Sequence, residues 1–358
     1  MESGTAAEWL ELGRWWLGEQ LQWPVPLLFW LGLLYVLCRA FFQDNHPTFA
    51  EEGDRSRNHR QRLLTAAFYG PFVLGATVLA PSVFLIFLGV MIWKGLGEFV
   101  AIVIPPRRNR EEAATKPRYR FNILDRSLQV LGVLQLALCH LGHEKGCIAG
   151  AALSFLILVG AYLIKVVYDG VQPLPSNTLN VLCCYVFGFV WISWTLSHAA
   201  LLYHNTPQFA GGVIAVLLTI SWIGDSAAYY IGSRFGRHKA MKNVSPNKSW
   251  EGILAEVFFA VMISMGVKQL QVSYPAFAAF LPPLSHQQYV VMAVLTAICG
   301  VIGDALESLF KRLGCVKDSG VFFPGHGGVC DRFDTFFFNG CFIYYFFLYH
   351  HHASTIAT

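Results

Sequence analysis

The chain has 358 residues, 55% of them hydrophobic and only 13% Asp, Glu, Lys or Arg, with 26 basic residues against 22 acidic ones and a net charge of +4. Soluble domains carry roughly twice that charged fraction, which excludes a water-soluble globular fold, and so small an excess of positive charge gives no footprint for a nucleic-acid partner. Nine cysteines lie mostly inside apolar runs with no CxxC pair, against both a disulfide framework and a zinc site.

The N-terminus places Glu2, Glu8 and Glu11 before any apolar run. It has no basic start and no small-residue cleavage site, so it does not read as a cleaved signal peptide. Trp9, Trp15, Trp16 and Trp23 are residues for a membrane interface. From there apolar runs recur at the length, roughly 20 residues, that carries a helix across a bilayer. They are continuously apolar and not alternating, which excludes barrel strands. The expected spans are 24–42, 63–80, 82–103, 125–142, 147–167, 179–203, 210–232, 252–270, 288–310 and 334–350. The fold class is therefore all-α, a polytopic transmembrane helical protein with about ten spanning helices. The count turns on two short divisions, one at Pro81 and one at His143 to Gly146. Residues 1–60 are expected to be an N-terminal extension with one span, and 61–358 one membrane domain whose catalytic part is 210–340.

Charge placement fits this count. Arg55, Arg57, Arg60 and Arg62, then Arg107, Arg108 and Arg110, then Arg234, Arg237, Lys239, Lys242 and Lys248, and finally Lys311, Arg312, Lys317 and Arg332 all fall in odd-numbered loops. Even-numbered loops hold little beyond Lys145 and Lys268. The positive-inside rule puts the basic loops in the cytoplasm and both termini outside.

Two of those loops are richer in polar residues than a helix connection requires. The first region runs from Asp225 through Gly232, Gly236 and Ser245 to Gly252; the second from Gly303 to Asp334. Asp304, Glu307, Ser308 and Lys311 share one helix face, because positions three or four apart coincide in azimuth. A carboxylate in mid-bilayer costs about 2.5 to 3.5 kcal/mol on insertion scales and normally faces a partner or a wet cavity. Residues 304–334 contain four Asp, one Glu, two Lys, two Arg and one His. Carboxylates beside cations, without a thiol cluster, suit a hard oxygen-seeking cation such as Mg²⁺ better than zinc. The Gly325-His-Gly-Gly328 turn allows close backbone approach and exposes N–H groups suited to an anion, although such turns more often serve only to reverse the chain.

Ser308-x-x-Lys311-Arg312, Lys317-Asp318, Pro324-x-His326-Gly327-Gly328 and Asp331-Arg332-x-Asp334, with their spacing, resemble the signature of the phosphatidate cytidylyltransferases (CDP-diacylglycerol synthases). Asp225, the Phe235-Gly236 pair and Ser245-Pro-x-Lys248-x-x-Glu251-Gly252 resemble the same family, with Ser249 standing where Thr is more usual. The resemblance covers residues 210–340 clearly and extends loosely back to about 60.

The resemblance implies an enzyme that joins CTP to phosphatidate, gives CDP-diacylglycerol and pyrophosphate, and requires Mg²⁺. It implies metal-binding carboxylates at Asp304 and Asp331, with Asp225 either ligating a second cation or positioning a lysine. Lys248, Ser308 and Lys311 match positions near metal or phosphate, and Arg312, Lys317, Asp318, His326, Arg332 and Asp334 belong in or around the same site. Phosphate is expected to contact Lys248, Lys311, Arg332, Gly327 and Gly328. The partners expected are CTP, phosphatidate and the bilayer, with a second copy of the chain as a candidate. The expected setting is a bacterial plasma (inner) membrane with the active site cytoplasmic, ahead of a eukaryotic endomembrane. The alternatives are a CTP-dependent enzyme for another lipid, either an ether-lipid phosphate cytidylyltransferase or a polyprenol kinase, and a non-enzymatic transporter or scaffold.

Overall fold

The computed structural model describes residues 32–37, 55–104, 121–169 and 177–356. Of the expected first span, 24–42, only the helical residues 32–37 fall within this set. Helix α1 (Arg55–Leu79) stops at Ala80, whose backbone leaves the helical region, and α2 (Pro81–Val103) starts on a proline. Proline suits a first helical position because its missing N–H would have no helical partner there. The Pro81 junction therefore joins two helices.

Helix α3 (Ile123–Asp169) is 47 residues long and is broken at His143, which has φ of 56° and ψ of −140°. The chain folds back there, since Gln135 Nε2 donates to the carbonyl of Cys147 at 3.0 Å. In a straight helix those two residues would lie about 18 Å apart. A Cβ on Gly146 would approach the Leu138 carbonyl oxygen to 2.1 Å, so the second arm packs closely on the first. The expected division between 125–142 and 147–167 is thus a helical hairpin.

Helix α4 (Thr178–Asn205) contains a π-helical stretch at Phe189–Trp194. Helix α5 (Ala210–Phe235) leads into a two-stranded antiparallel hairpin, β1 (Lys239–Met241) with β2 (Ser245–Ser249). This hairpin departs from an all-α expectation, but it is the only sheet among the described residues. Helices α6 (Trp250–Ser273), α7 (His286–Leu313) and α8 (Cys330–Ile356) complete the bundle. Ser249 caps α6 by accepting from Gly252 N at 3.2 Å, and Ser285 with Gln288 forms a capping box on α7.

Among the described residues six helices are long and apolar enough to cross a membrane: α2, α3, α4, α5, α6 and α7. Because α3 is a hairpin, it contains two of the expected spans. Helix α8 is not among the six, its apolar run being interrupted by Asn339, Tyr344, Tyr345, Tyr349 and His350. The expected total of ten is accordingly not established.

Helix α2 lies at the centre of the core. Phe84, Phe87, Leu88, Met91, Ile92 and Leu96 are all at most 1% exposed. By contrast Leu141, Ile148, Leu156, Ile164 and Val167 on α3 are exposed, as side chains facing lipid tails should be. The long 314–329 connection is fastened to this core by the edge-on contact of Tyr69 with Phe323 at 4.8 Å, and the start of α8 by the tilted contact of Phe87 with Phe333 at 6.0 Å. Such pairs contribute about 0.5 to 1.5 kcal/mol each beyond their burial.

Candidate active site

The two polar regions meet at the end of α7. Lys248, the penultimate residue of β2, places its Nζ 2.6 Å from Asp304 Oδ2. The neighbouring Asp304 oxygen accepts from Ser308 Oγ, one turn along α7, at 3.3 Å. Arg312 Nε donates to the Val244 carbonyl at 3.2 Å, a second tie between α7 and the hairpin. Burial alone would lower the pKa of the Lys248 ammonium. The Asp304 carboxylate against it, with Glu256 and Asp225 behind, raises it above the ordinary value instead. Lys248 is therefore a fixed positive charge at the site.

Lys311 holds a second knot. Its ammonium sits 2.7 Å from Glu307 Oε2 and 2.8 Å from Asp331 Oδ1, and all three side chains are at most 17% exposed. The other Asp331 oxygen accepts from Ser319 N at 2.8 Å, Ser319 Oγ at 2.9 Å and Gly328 N at 2.7 Å. Burial pushes the Asp331 pKa up, but Lys311 and this shell of donors outweigh it, and the carboxyl ends below the usual carboxylate range.

The glycine-rich turn has a backbone reason for its composition. Gly325 and Gly327 have φ of 73° and 89°, a region that residues with a Cβ rarely adopt. A Cβ on Gly327 would also come within 2.3 Å of Asp331 Oδ2. The Gly328 N–H, expected to face a phosphate, here donates to Asp331, so this amide serves the carboxylate. The turn is tied down by Phe323 N to Gly327 O at 2.8 Å and by Thr65 Oγ1 to Pro324 O at 2.9 Å.

Carboxylate oxygens of Asp304, Glu307 and Asp334 lie within 4.8 Å of one another. Glu307 Oε1 is buried with no hydrogen-bond partner among the described residues, as expected of an oxygen that awaits a cation. An all-oxygen donor set of this kind fits Mg²⁺. Asp225 interacts electrostatically with Glu256, Asp304, Lys248 and Arg332, which puts it on the edge of the same cluster. Arg332 is exposed and its Nε donates to the His326 carbonyl at 2.9 Å. Lys317 is exposed and Asp318 half-buried on the connecting segment.

A cavity of about 300 Å³ opens beside this cluster. Tyr69, Phe87, Trp222 and Phe323 form its apolar walls, and Asp225, His326 and Arg332 its polar end. Two buried acids that the motif reading passes over belong to the site's surroundings. Glu256 on α6 is 4% exposed and interacts with Lys248, Asp304 and Asp334. Glu98 on α2 is 1% exposed and bonds to the segment that carries Asp331. Each had one signal in the sequence, a carboxylate isolated in an apolar span.

The sequence matches the cytidylyltransferase family over residues 60–350. An uncharacterized protein YnbB of Escherichia coli (strain K12) is 35% identical over 167 residues, 46% of this chain and 53% of the relative. A phosphatidate cytidylyltransferase of Bacillus subtilis (strain 168) is 33% identical over 140 residues, 39% of this chain and 49% of the relative. For both, the matched part spans about half of the relative's own length. A phosphatidate cytidylyltransferase of Pseudomonas aeruginosa is 29% identical over 283 residues, 77% of this chain and 92% of the relative. The match over 60–350 contains every residue of the site just described, and the chain belongs to the cytidylyltransferase family.

Proposed function

We propose that this protein transfers the cytidylyl group of CTP to phosphatidate, giving CDP-diacylglycerol and pyrophosphate. The observation that carries the reading is the juxtaposition of three carboxylates, Asp304, Glu307 and Asp334, and two half-buried lysines, Lys248 and Lys311, with a cavity that is apolar along its walls and polar at its end, where Arg332 supplies a cation. A lipid phosphate needs an apolar seat, a triphosphate needs cations, and here the two adjoin. The relatives named phosphatidate cytidylyltransferase support the choice of substrates.

In this reading Asp304 and Asp331 would hold Mg²⁺ together with Glu307 and Asp334, whose oxygens lie with those of Asp304, and Asp225, beside Glu256, would be available to a second cation. A metal held there would neutralise charge on the phosphates and on the leaving group. Lys248 and Lys311 are fixed donors for phosphate oxygens, and Arg332 is the one for the lipid headgroup, since it shares the cavity end with His326. A phosphomonoester has its second pKa near 6, so its attacking oxygen is already ionised at neutral pH and needs no strong general base. That oxygen bonds to the α-phosphorus of CTP. The bond from the α-phosphorus to the bridging oxygen breaks, and pyrophosphate leaves with the electron pair. The chain's task is to bring two polyanions together and stabilise the leaving charge.

The cavity borders α1 and α5, so the lipid enters sideways from the bilayer. By the charge distribution of the loops the site faces the cytoplasm, and the bacterial relatives support a plasma membrane. The test is product analysis with detergent-purified protein, Mg²⁺, phosphatidate and CTP labelled at the α-phosphate. Label appearing in lipid supports the reading. Label left in water-soluble CTP or released as CDP refutes it and points to an ether-lipid phosphate or a polyprenol acceptor.

A further inference from the structure

Glu98 lies on α2, far in sequence from every motif, yet its carboxylate ends on the segment that shapes the site. Oε1 accepts from Val329 N at 3.0 Å, and Oε2 accepts from Cys330 N at 2.9 Å and lies 2.9 Å from Ser319 Oγ. Val329 N and Cys330 N are amides at the start of α8, where N–H groups have no intrahelical acceptor. A negative side chain is favoured at that end of a helix. Here it arrives from another helix.

The surroundings are built to admit this carboxylate. A Cβ on Gly320 would come within 2.5 Å of Glu98 Oε1, and one on Gly328 within 2.4 Å of Glu98 Oε2. Glycine at both positions lets the backbone close around the acid. Ser319 then links Glu98 to Asp331. Its hydroxyl lies 2.9 Å from Glu98 Oε2 and 2.9 Å from Asp331 Oδ2, and it accepts from Asp331 N at 3.2 Å. The hydroxyl has one proton to donate, so the placements of the two carboxylates are coupled through it.

We infer that Glu98 is a positioning residue for the metal end of the site, holding Asp331 in place through Ser319 and through the first amides of α8. It touches no reacting atom. The role rests on the reading of Asp331 as a metal-holding residue, and it extends the site to a transmembrane helix outside the motif region. Outer partners of metal-binding carboxylates typically cost 10- to 100-fold in metal affinity or activity when lost.

The experiment uses the full chain in detergent with two readouts: the Mg²⁺ concentration that half-maximally raises the thermal unfolding midpoint, and the Mg²⁺ concentration for half-maximal cytidylyl transfer. Glu98→Gln sets an amide NH₂ against backbone N–H donors, and is expected to raise both Mg²⁺ requirements by about tenfold or more. Ser319→Ala, which removes only the link, is expected to move them in the same direction and decides the question if Glu98→Gln does not fold. Glu144→Gln, at the opposite end of the bundle, is expected to leave both unchanged. A wild-type Mg²⁺ requirement in Ser319→Ala and in any folded Glu98→Gln, whatever the midpoint, overturns the inference, as does a wild-type protein whose midpoint ignores Mg²⁺. If the midpoint titrations separate the variants while no labelled lipid forms, the substrate reading fails and the role of Glu98 stands.

Discussion

Lys248 and Asp304 meet at 2.6 Å, one from the hairpin that follows α5 and the other from the interior of α7. The pair closes the two polar regions on each other and leaves a cation and a carboxylate at the same wall of the site. Asp304→Ala should reduce cytidylyl transfer by a factor on the order of 10² to 10³, the range for losing one preorganised electrostatic group. Initial rates with labelled CTP at saturating Mg²⁺ check this. A variant within threefold of the wild type would remove Asp304 from the metal set.

Lys311→Met is expected to cost stability as well as activity. It keeps most of the aliphatic stem but leaves Glu307 and Asp331, both nearly buried, without the ammonium that separates them. Removing one partner of a buried ion pair costs about 3 to 5 kcal/mol. Thermal unfolding in detergent should show a lowered midpoint that added Mg²⁺ partly restores, since a cation at the same carboxylates replaces part of the lost charge.

Asp331 gives a pH signature. Its folded-state pKa lies below the ordinary carboxylate value. Its contribution to stability is therefore fully present above the unfolded value, about 3.9, and is lost as pH falls through the lower folded value. The stability difference between the wild type and Asp331→Asn should be flat from pH 8 to pH 5 and shrink below about pH 4. A difference that grew on acidification would contradict the ion pair with Lys311.

Gly327→Ala tests the turn without touching a charge. It forces φ of 89° on a residue with a Cβ and pushes that Cβ against Asp331. Strain of this kind costs about 1 to 3 kcal/mol. The variant should show a raised Mg²⁺ requirement in the transfer assay, whereas Gly266→Ala, where a Cβ would meet nothing within 4 Å, should behave as the wild type.

The sequence showed much of the site because its chemistry is concentrated. The spacing from Ser308 to Asp334 put most of the charged residues in one stretch, and helical periodicity alone predicted that Asp304, Ser308 and Lys311 share a face. The hairpin at His143 was visible in its short polar interruption. What could not be read is which distant acid serves which segment. Glu98 and Val329 are brought together by the packing of α2 against α8, and no local pattern encodes that contact. The bond from the Gly328 amide to Asp331 was hidden for a related reason. A glycine turn advertises free N–H groups, but whether they face a ligand or a nearby carboxylate depends on where Asp331 lands. The span count was the weakest reading, because the Tyr, Asn and His residues of α8 dilute the apolar signal on which such counts rest.

The reversal at His143 has a consequence for how the chain is laid into its membrane. A segment that enters and returns leaves everything downstream on the side it would have occupied anyway. With both arms crossing the bilayer, the α3 hairpin is neutral to the orientation of the helices that follow. Excising 123–169 would strip packing from α2 and α4 while leaving the threading of the catalytic helices α5 to α8 unchanged. The orientation of the site is set by the crossings on either side of the hairpin.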